Sequence, residues 1–314
     1  MKKLIFLLIL ALYLSSSAEA ANFTNLETNL HNKLDKYGEK VGLVFIDCKT
    51  QTVISINGDK TFVAASVIKL PIMAAVFKEY EKGMLSFSEQ VEVTKDMKLP
   101  GSGVLQWLKP NSYTLWNLTR MMISISDNTA TYIMADKLGL EKLNDYCRSL
   151  DLRSTVIRDK TALVEPPSGE VNVTSPLDMA YLLLKIYYRD GFTENSSKSM
   201  LAFMQNQYYR WGICRPLPRS VKVANKTGNL DGVLNDVGIV FTPAGDYILS
   251  IFTQGFPKKR EARVIINAIS AQVYETYQPG KIAAEQKKLK KPVKKKKVIK
   301  KVKKVYRKAK RKKR

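Results

Sequence analysis

Apolar positions along this chain change period twice, and the changes divide it into three stretches. Asn22 to Tyr37 places Leu26, Leu30 and Leu34 four residues apart, the spacing of one helix face. Val41 to Ile46 and Val53 to Ile56 are rich in β-formers and flank the polar run Asp47 to Gln51, which predicts a hairpin. The middle of the chain then reads as helices. Val67 to Tyr80 is apolar almost all round, the mark of a buried helix. Thr114 to Leu138 follows, with a break expected near Ser124 to Asp127, and then Glu141 to Leu150, Ser175 to Tyr188 and Ser196 to Tyr208. Strand patterning returns in Val221 to Asn225, Val233 to Phe241 and Tyr247 to Thr253, with Thr242 to Asp246 as a turn. A last helix is expected over Lys259 to Tyr277, ended by Pro279-Gly280.

Strands at both ends with helices between them predict an α+β fold. An antiparallel sheet would form from the two chain ends, flanked by helices, and an all-helical lobe would be inserted between them. With 314 residues, 45% of them apolar, the chain can build such a core. The ends beyond this unit read differently. Lys2 and Lys3, the apolar run Leu4 to Leu14 and Ala18-Glu19-Ala20 have the form of a secretory signal cleaved after residue 20. The apolar run is too short for a membrane span. Residues 21–281 are then one folded domain, and 282–314 a basic tail, disordered when free.

That tail accounts for the charge. Lys287 to Arg314 holds 19 Lys/Arg and no acid, so of the net +24 only +5 belongs to residues 1–286. In an exported protein the tail's partners would be anionic envelope polymers or lipids; a solvated tail without a partner is the competing reading. One aromatic, Tyr306, is too little for base stacking, so no nucleic acid is expected. Cys48, Cys147 and Cys214 lack metal-ligand spacing, and either one disulfide with an odd thiol or three buried thiols fits them. The single histidine, His31, lies in the first helix. A multi-histidine metal site is excluded, no cofactor is called for, and a serine nucleophile would need another base than imidazole.

Ser66-Val67-Ile68-Lys69 supplies one. It opens the buried helix, where residues three apart share a face and the lysine can approach the hydroxyl. Burial lowers a lysine pKa, and the helix start offers free N–H groups to an oxyanion. Ser126-Asp127-Asn128 falls at the expected helix break, and Lys226-Thr227-Gly228 follows a predicted strand. Each triplet alone has an ordinary explanation as a cap or a turn. Together, once each and in this order, they form the S-x-x-K, S-D-N, K-T-G signature of class A β-lactamases and penicillin-binding proteins. The separations, 60 residues from Ser66 to Ser126 and 100 from there to Lys226, also resemble class A β-lactamases. So do the loop Pro100 to Gln106, the segment SISDNTATYIMADKL from Ser124, and Val173 to Ala180.

The resemblance implies roles. Ser66 would be acylated, Lys69 would help deprotonate it, and Ser126 would relay a proton to the leaving nitrogen. Asn128 would hold the substrate's side-chain amide. Lys226, Thr227 and Gly228 would form the carboxylate side of the site, and the N–H groups of Ser66 and Asn229 the oxyanion hole. Glu165, before Pro166, resembles the family's deacylating glutamate, with Glu170 as the other candidate. The asparagine expected four residues on is Gly169, and the loop looks about three residues short. An arginine beside the K-T-G strand is also missing: Gly212 and Asn235 to Val237 stand where one would align. Arg210, Arg215 or Arg219 are the candidates to replace it.

The resulting expectation is an exported, monomeric serine β-lactamase, periplasmic or extracellular. A penicillin-binding D,D-peptidase or other amidase or esterase, acting on a peptidoglycan-like amide, is the alternative. A non-enzymatic envelope-binding protein is the third reading.

Overall fold

The computed structural model describes residues 23–161 and 170–290. Helix α1 spans residues 23–34 and buries Leu26, Leu30 and Leu34. Strands β1 (Val41–Asp47) and β2 (Val53–Ile56) form the expected hairpin. After β3 (Phe62–Val63) come a 3-10 turn, Ala65–Ile68, and helix α2 (Lys69–Glu81). Next are β4 (Gln90–Val93), β5 (Asn111–Thr114), α3 (Leu115–Ser124), α4 (Asn128–Leu138) and α5 (Leu140–Ser149). Strand β6 (Val173–Thr174) leads to α6 (Pro176–Tyr188) and α7 (Glu194–Gln205). The chain closes with β7 (Lys222–Leu230), β8 (Val233–Phe241), β9 (Tyr247–Gln254), α8 (Lys259–Tyr277) and α9 (Lys281–Lys290).

The two ends share one antiparallel sheet in the order β2-β1-β9-β8-β7. Successive strand residues point to opposite faces, and both faces are covered. Leu43 and Phe45 of β1, with Leu249 and Ile251 of β9, pack under α1 and α8. Val44 and Ile46, with Ile248 and Phe252, face the helical lobe built around α2. That is why β1 and β9 are mostly apolar on both faces rather than alternating apolar with charged residues. In α2 the side chains of Leu70, Ile72, Met73, Val76 and Phe77 are all buried, each contributing about 1.5–3 kcal/mol.

The helices begin where the sequence offers caps. Thr114, Asp127, Ser175 and Thr193 each accept a hydrogen bond from the N–H three residues on. The break between α3 and α4 falls at Ser126, whose φ is +56°.

Three expectations change. Ser66 sits in the 3-10 turn before α2, not in the helix itself. The K-T-G triplet lies inside β7, which runs five residues beyond its expected end at Asn225. Residues 282–290, expected to be disordered, belong to α9. This segment is rich in Ala and Lys, good helix formers, and Ile282 packs against the core under α8. The short pairs β3–β6 and β4–β5 were not foreseen, because a two-residue strand carries no periodic signal. The cysteines are three buried free thiols, so the disulfide reading is excluded; burial pushes each thiol up to about 12. Among the described residues no helix is long and apolar enough to cross a membrane. The expected signal, residues 1–20, and the tail from 291 lie outside the described residues.

Candidate active site

Ser66 is carried on a strained turn. The residue before it, Ala65, has φ +48°, a left-handed conformation costly for a side chain with a Cβ. Neighbours hold it there. Ala64 N–H donates to Asn172 O at 2.9 Å, and the Asn235 side-chain amide donates to Val63 O and Ala64 O at 3.0 and 3.2 Å. Strand β7 presses on the turn from the side. A Cβ on Gly228 would lie 3.1 Å from Ala65 Cβ and 3.2 Å from both Ala64 O and Val67 Cγ2, so the K-T-G glycine permits this close approach.

The three motifs meet here. Lys69 Nζ donates to Ser126 O at 2.7 Å, Ser126 Oγ at 3.2 Å and Asn128 Oδ1 at 2.8 Å. Lys226 Nζ donates to the same Ser126 Oγ at 3.0 Å and to Thr227 O at 2.8 Å. The Ser126 oxygen thus accepts from two lysines, filling both its lone pairs and leaving its own proton to be given elsewhere. Ser66, Ser102, Ser126, Thr227 and Asn229 line one cavity of about 160 Å³, walled by Tyr209 and Trp211. Among the described residues the Ser66 hydroxyl has no hydrogen-bond partner; it is 8% exposed, against 0% for both lysines.

Charge is tuned by burial. Loss of solvent, and then the Lys226 ammonium, push the Lys69 amine well below the ordinary lysine value, while Asp127 pulls the other way. An amine so placed loses a proton more readily than a solvated lysine; the neutral form gives up one of the three donor bonds, and the freed lone pair can take a proton. Lys226 is pushed down to about 7 by burial, against the pull of Asp236. Asp236, wholly buried, is pushed up to about 7 by the same cause, opposed by hydrogen bonds from Asn225 Nδ2 at 2.8 Å and Ile213 N at 2.7 Å and by the Lys226 charge.

Second-rank residues set this geometry. Asp127 caps α4 through Ala130 N at 2.9 Å, and its other oxygen accepts from Val104 N at 2.7 Å and Leu105 N at 3.0 Å. It thereby ties down the loop that carries Ser102. Asn128 donates to Pro100 O at 2.8 Å while holding Lys69, so its amide also serves the scaffold. Tyr209 is placed by Gln207, which accepts from its N–H at 3.1 Å and donates to Ile123 O at the end of α3.

The remaining candidates fall elsewhere. Glu165 and Gly169 lie outside the described residues. Glu170 is largely exposed, with Arg158 3.9 Å away. Asn172 is tied to the segment at 158–159, accepting from Arg158 N and Asp159 N at 2.8 and 2.9 Å and donating to Asp159 O at 2.9 Å. Arg210, Arg215 and Arg219 line a different cavity from Ser66 and do not replace the missing arginine. His31 pairs with Asp35 on the surface of α1. Sequence reasoning missed Asp236, Asn235, Tyr209 and Trp211. A signal for the first existed: an acid in the middle of an apolar strand must find buried donors.

Comparison with known proteins agrees with this geometry. A family profile described as "Beta-lactamase enzyme family" matches residues 25–277. The chain belongs to that family. β-Lactamase VEB-1 of Pseudomonas aeruginosa is 26% identical over 80% of this chain and 89% of its own length. β-Lactamase CTX-M-97 of Escherichia coli is 26% identical over 84% and 93%. Among solved structures, PBP-A superposes with a TM-score of 0.75 at 30% identity, covering 81% of this chain and 96% of its own. A β-lactamase from Sphaerobacter thermophilus DSM 20745 gives 0.74 at 30%, covering 80% and 96%. The protein has the α+β fold of the class A β-lactamases and is a hydrolase of the β-lactamase family.

Proposed function

We propose that the protein opens β-lactam rings through an acyl-enzyme on Ser66. The observation that carries this reading is the Ser126 hydroxyl, which accepts from Lys69 and Lys226 in the cavity lined by Ser66. The Ser66 oxygen bonds the ring carbonyl carbon while its proton passes to the Lys69 amine. The carbonyl oxygen takes the electron pair and is held by the N–H groups of Ser66 and Asn229. Collapse breaks the carbon–nitrogen bond, and the Ser126 hydroxyl protonates the nitrogen and recovers a proton from Lys69. Lys226, Thr227 and Gly228 form the wall that takes the substrate carboxylate, and Asn128 holds its side-chain amide. Water then bonds the acyl carbon while its proton passes to Glu165; the ester carbon–oxygen bond breaks, and the Ser66 oxygen takes that proton back from Glu165.

Turnover of a chromogenic cephalosporin tests the reading. The full chain should hydrolyse it, Ser66→Ala should not, and Glu165→Ala should stop after one equivalent. Full activity in Ser66→Ala overturns the proposal, and unchanged turnover in Glu165→Ala removes that residue from it.

A second reading, a penicillin-binding D,D-peptidase with the same nucleophile, is favoured by the likeness to PBP-A. A variant of that protein has been solved as an acyl-enzyme complex with penicillin G. In this case penicillin would acylate Ser66 without turnover, and peptides ending in D-Ala-D-Ala would be cleaved. In either case residues 1–20 act as an export signal to the periplasm or the medium, the mature chain is a monomer, and the basic tail contacts anionic envelope polymers or lipids. Absence of the signal peptide from secreted protein, read by N-terminal sequencing, checks the first of these.

A further inference from the structure

The segment 207–215 walls two cavities. Tyr209 and Trp211 line the Ser66 pocket, whereas Arg210, Cys214 and Arg215 line a second, larger space of about 760 Å³ bounded by the end of α7 and the start of β7. Four cationic side chains ring it, Arg210, Arg215, Arg219 and Lys222, and no carboxylate lines it. Among the described residues none of the four has an ion-pair or hydrogen-bond partner for its side chain. Elsewhere surface lysines commonly meet an acid, as Lys137 meets Glu89, Lys160 meets Asp136 and Lys185 meets Asp190.

The cations are not consumed by the fold. The C-terminal end of α7, which would attract them, is already capped by Asn206, whose N–H and side-chain amide both donate to Ala202 O. Like charges gathered round a concavity repel one another, and an anion seated there relieves all of them at once. Three of the four are arginines, whose planar forks match the paired oxygens of a phosphate group. The volume is that of a small-molecule site and exceeds the need of a single inorganic ion.

We propose that this cavity binds a phosphate-bearing anion, at a site separate from Ser66 and independent of the reaction there. The ligand is a soluble phosphate ester or the headgroup of a phospholipid; both present the same oxygens to the arginines.

The test uses the full-length chain, with the basic tail intact in every variant, so that any difference between variants belongs to the cavity. Titration calorimetry with inorganic pyrophosphate should show saturable one-site binding that weakens as salt rises. Arg215→Ala/Arg219→Ala should lower the affinity at least tenfold, and Arg215→Lys/Arg219→Lys should lower it less. Thermal melts establish that the variants fold; if the double alanine variant does not, Arg219→Ala alone must weaken binding at least threefold. Sedimentation with phosphatidylglycerol–phosphatidylcholine vesicles separates the sources. Vesicle binding lost in the double variant and displaced by pyrophosphate identifies a headgroup, and vesicle binding unchanged in that variant identifies a soluble ester. Absence of saturable pyrophosphate binding, or equal affinity in wild type and the alanine variant, overturns the proposal.

Discussion

Replacing Asp127 should be expensive in a way its surroundings allow to be worked out. The side chain is 1% exposed, accepts three backbone hydrogen bonds and donates none, as an ionised carboxyl does. Asp127→Ala removes the α4 cap, worth about 1 kcal/mol. It also orphans the N–H groups of Val104 and Leu105, at about 1.5 kcal/mol or more for each bond to a charged acceptor. The sum is roughly 4 kcal/mol. Asp127→Asn can keep an oxygen on Val104 and Leu105 and turn its NH₂ toward Ala130, so it loses the cap, about 1 kcal/mol, and weakens two charge-assisted bonds to neutral ones by about 0.5 kcal/mol each, roughly 2 kcal/mol in all. Denaturant unfolding at constant m-value measures both. On the thermal scale the alanine variant should melt about 8–16 °C lower. Catalysis supplies a second readout. Asp127 raises the Lys69 pKa. Without the carboxylate the amine is neutral down to lower pH, and the acid limb of kcat/KM should move to lower pH in both variants. Losses under 1 kcal/mol, an asparagine variant no more stable than the alanine one, or an acid limb moved upward would each refute this account.

Two other perturbations probe the cluster. Gly228→Ala puts a Cβ within 3.1–3.2 Å of Ala65, Ala64 O and Val67, so the turn carrying Ser66 must shift by a few tenths of an ångström. Acylation measured by stopped flow should slow about 10- to 100-fold for a stability loss of about 1–3 kcal/mol, and a rate within twofold of wild type would count against positioning by β7. Asp236→Asn removes the anion that favours the charged form of Lys226. The alkaline limb of kcat/KM, where Lys226 loses its proton near 7, should therefore move to lower pH. Because burial pushes Asp236 itself up to about 7, the two enzymes should differ most above that pH and converge well below it, as pH–rate profiles with a carboxylate-bearing substrate would show.

Much of the site was legible because its parts are local in sequence. S-x-x-K, S-D-N and K-T-G each span at most four residues, and a polar triplet inside apolar helical flanks marks a helix break. The left-handed backbone at Ala65 and Ser126 was not legible. Neither is a glycine, and each conformation is imposed by distant partners, at Ala65 through Asn172 and Asn235. The missing arginine drew attention to Asn235 and Asp236 as absences. Their actual work, holding the Ser66 turn and biasing Lys226, depends on which strands are neighbours. Helix α9 was hidden because the charge density beyond it obscured a helix-forming start that Ile282 anchors.

If the chemistry runs as derived, the Ser66 hydroxyl, and no other group, is acylated. Intact-protein mass spectrometry of the full chain mixed with penicillin, followed over time and then mapped by tryptic digestion, tests it most directly. The peptide containing Ser66 should gain one whole penicillin mass, decaying as product is released and absent in Ser66→Ala. An adduct on another residue, or none while hydrolysis proceeds, would contradict it.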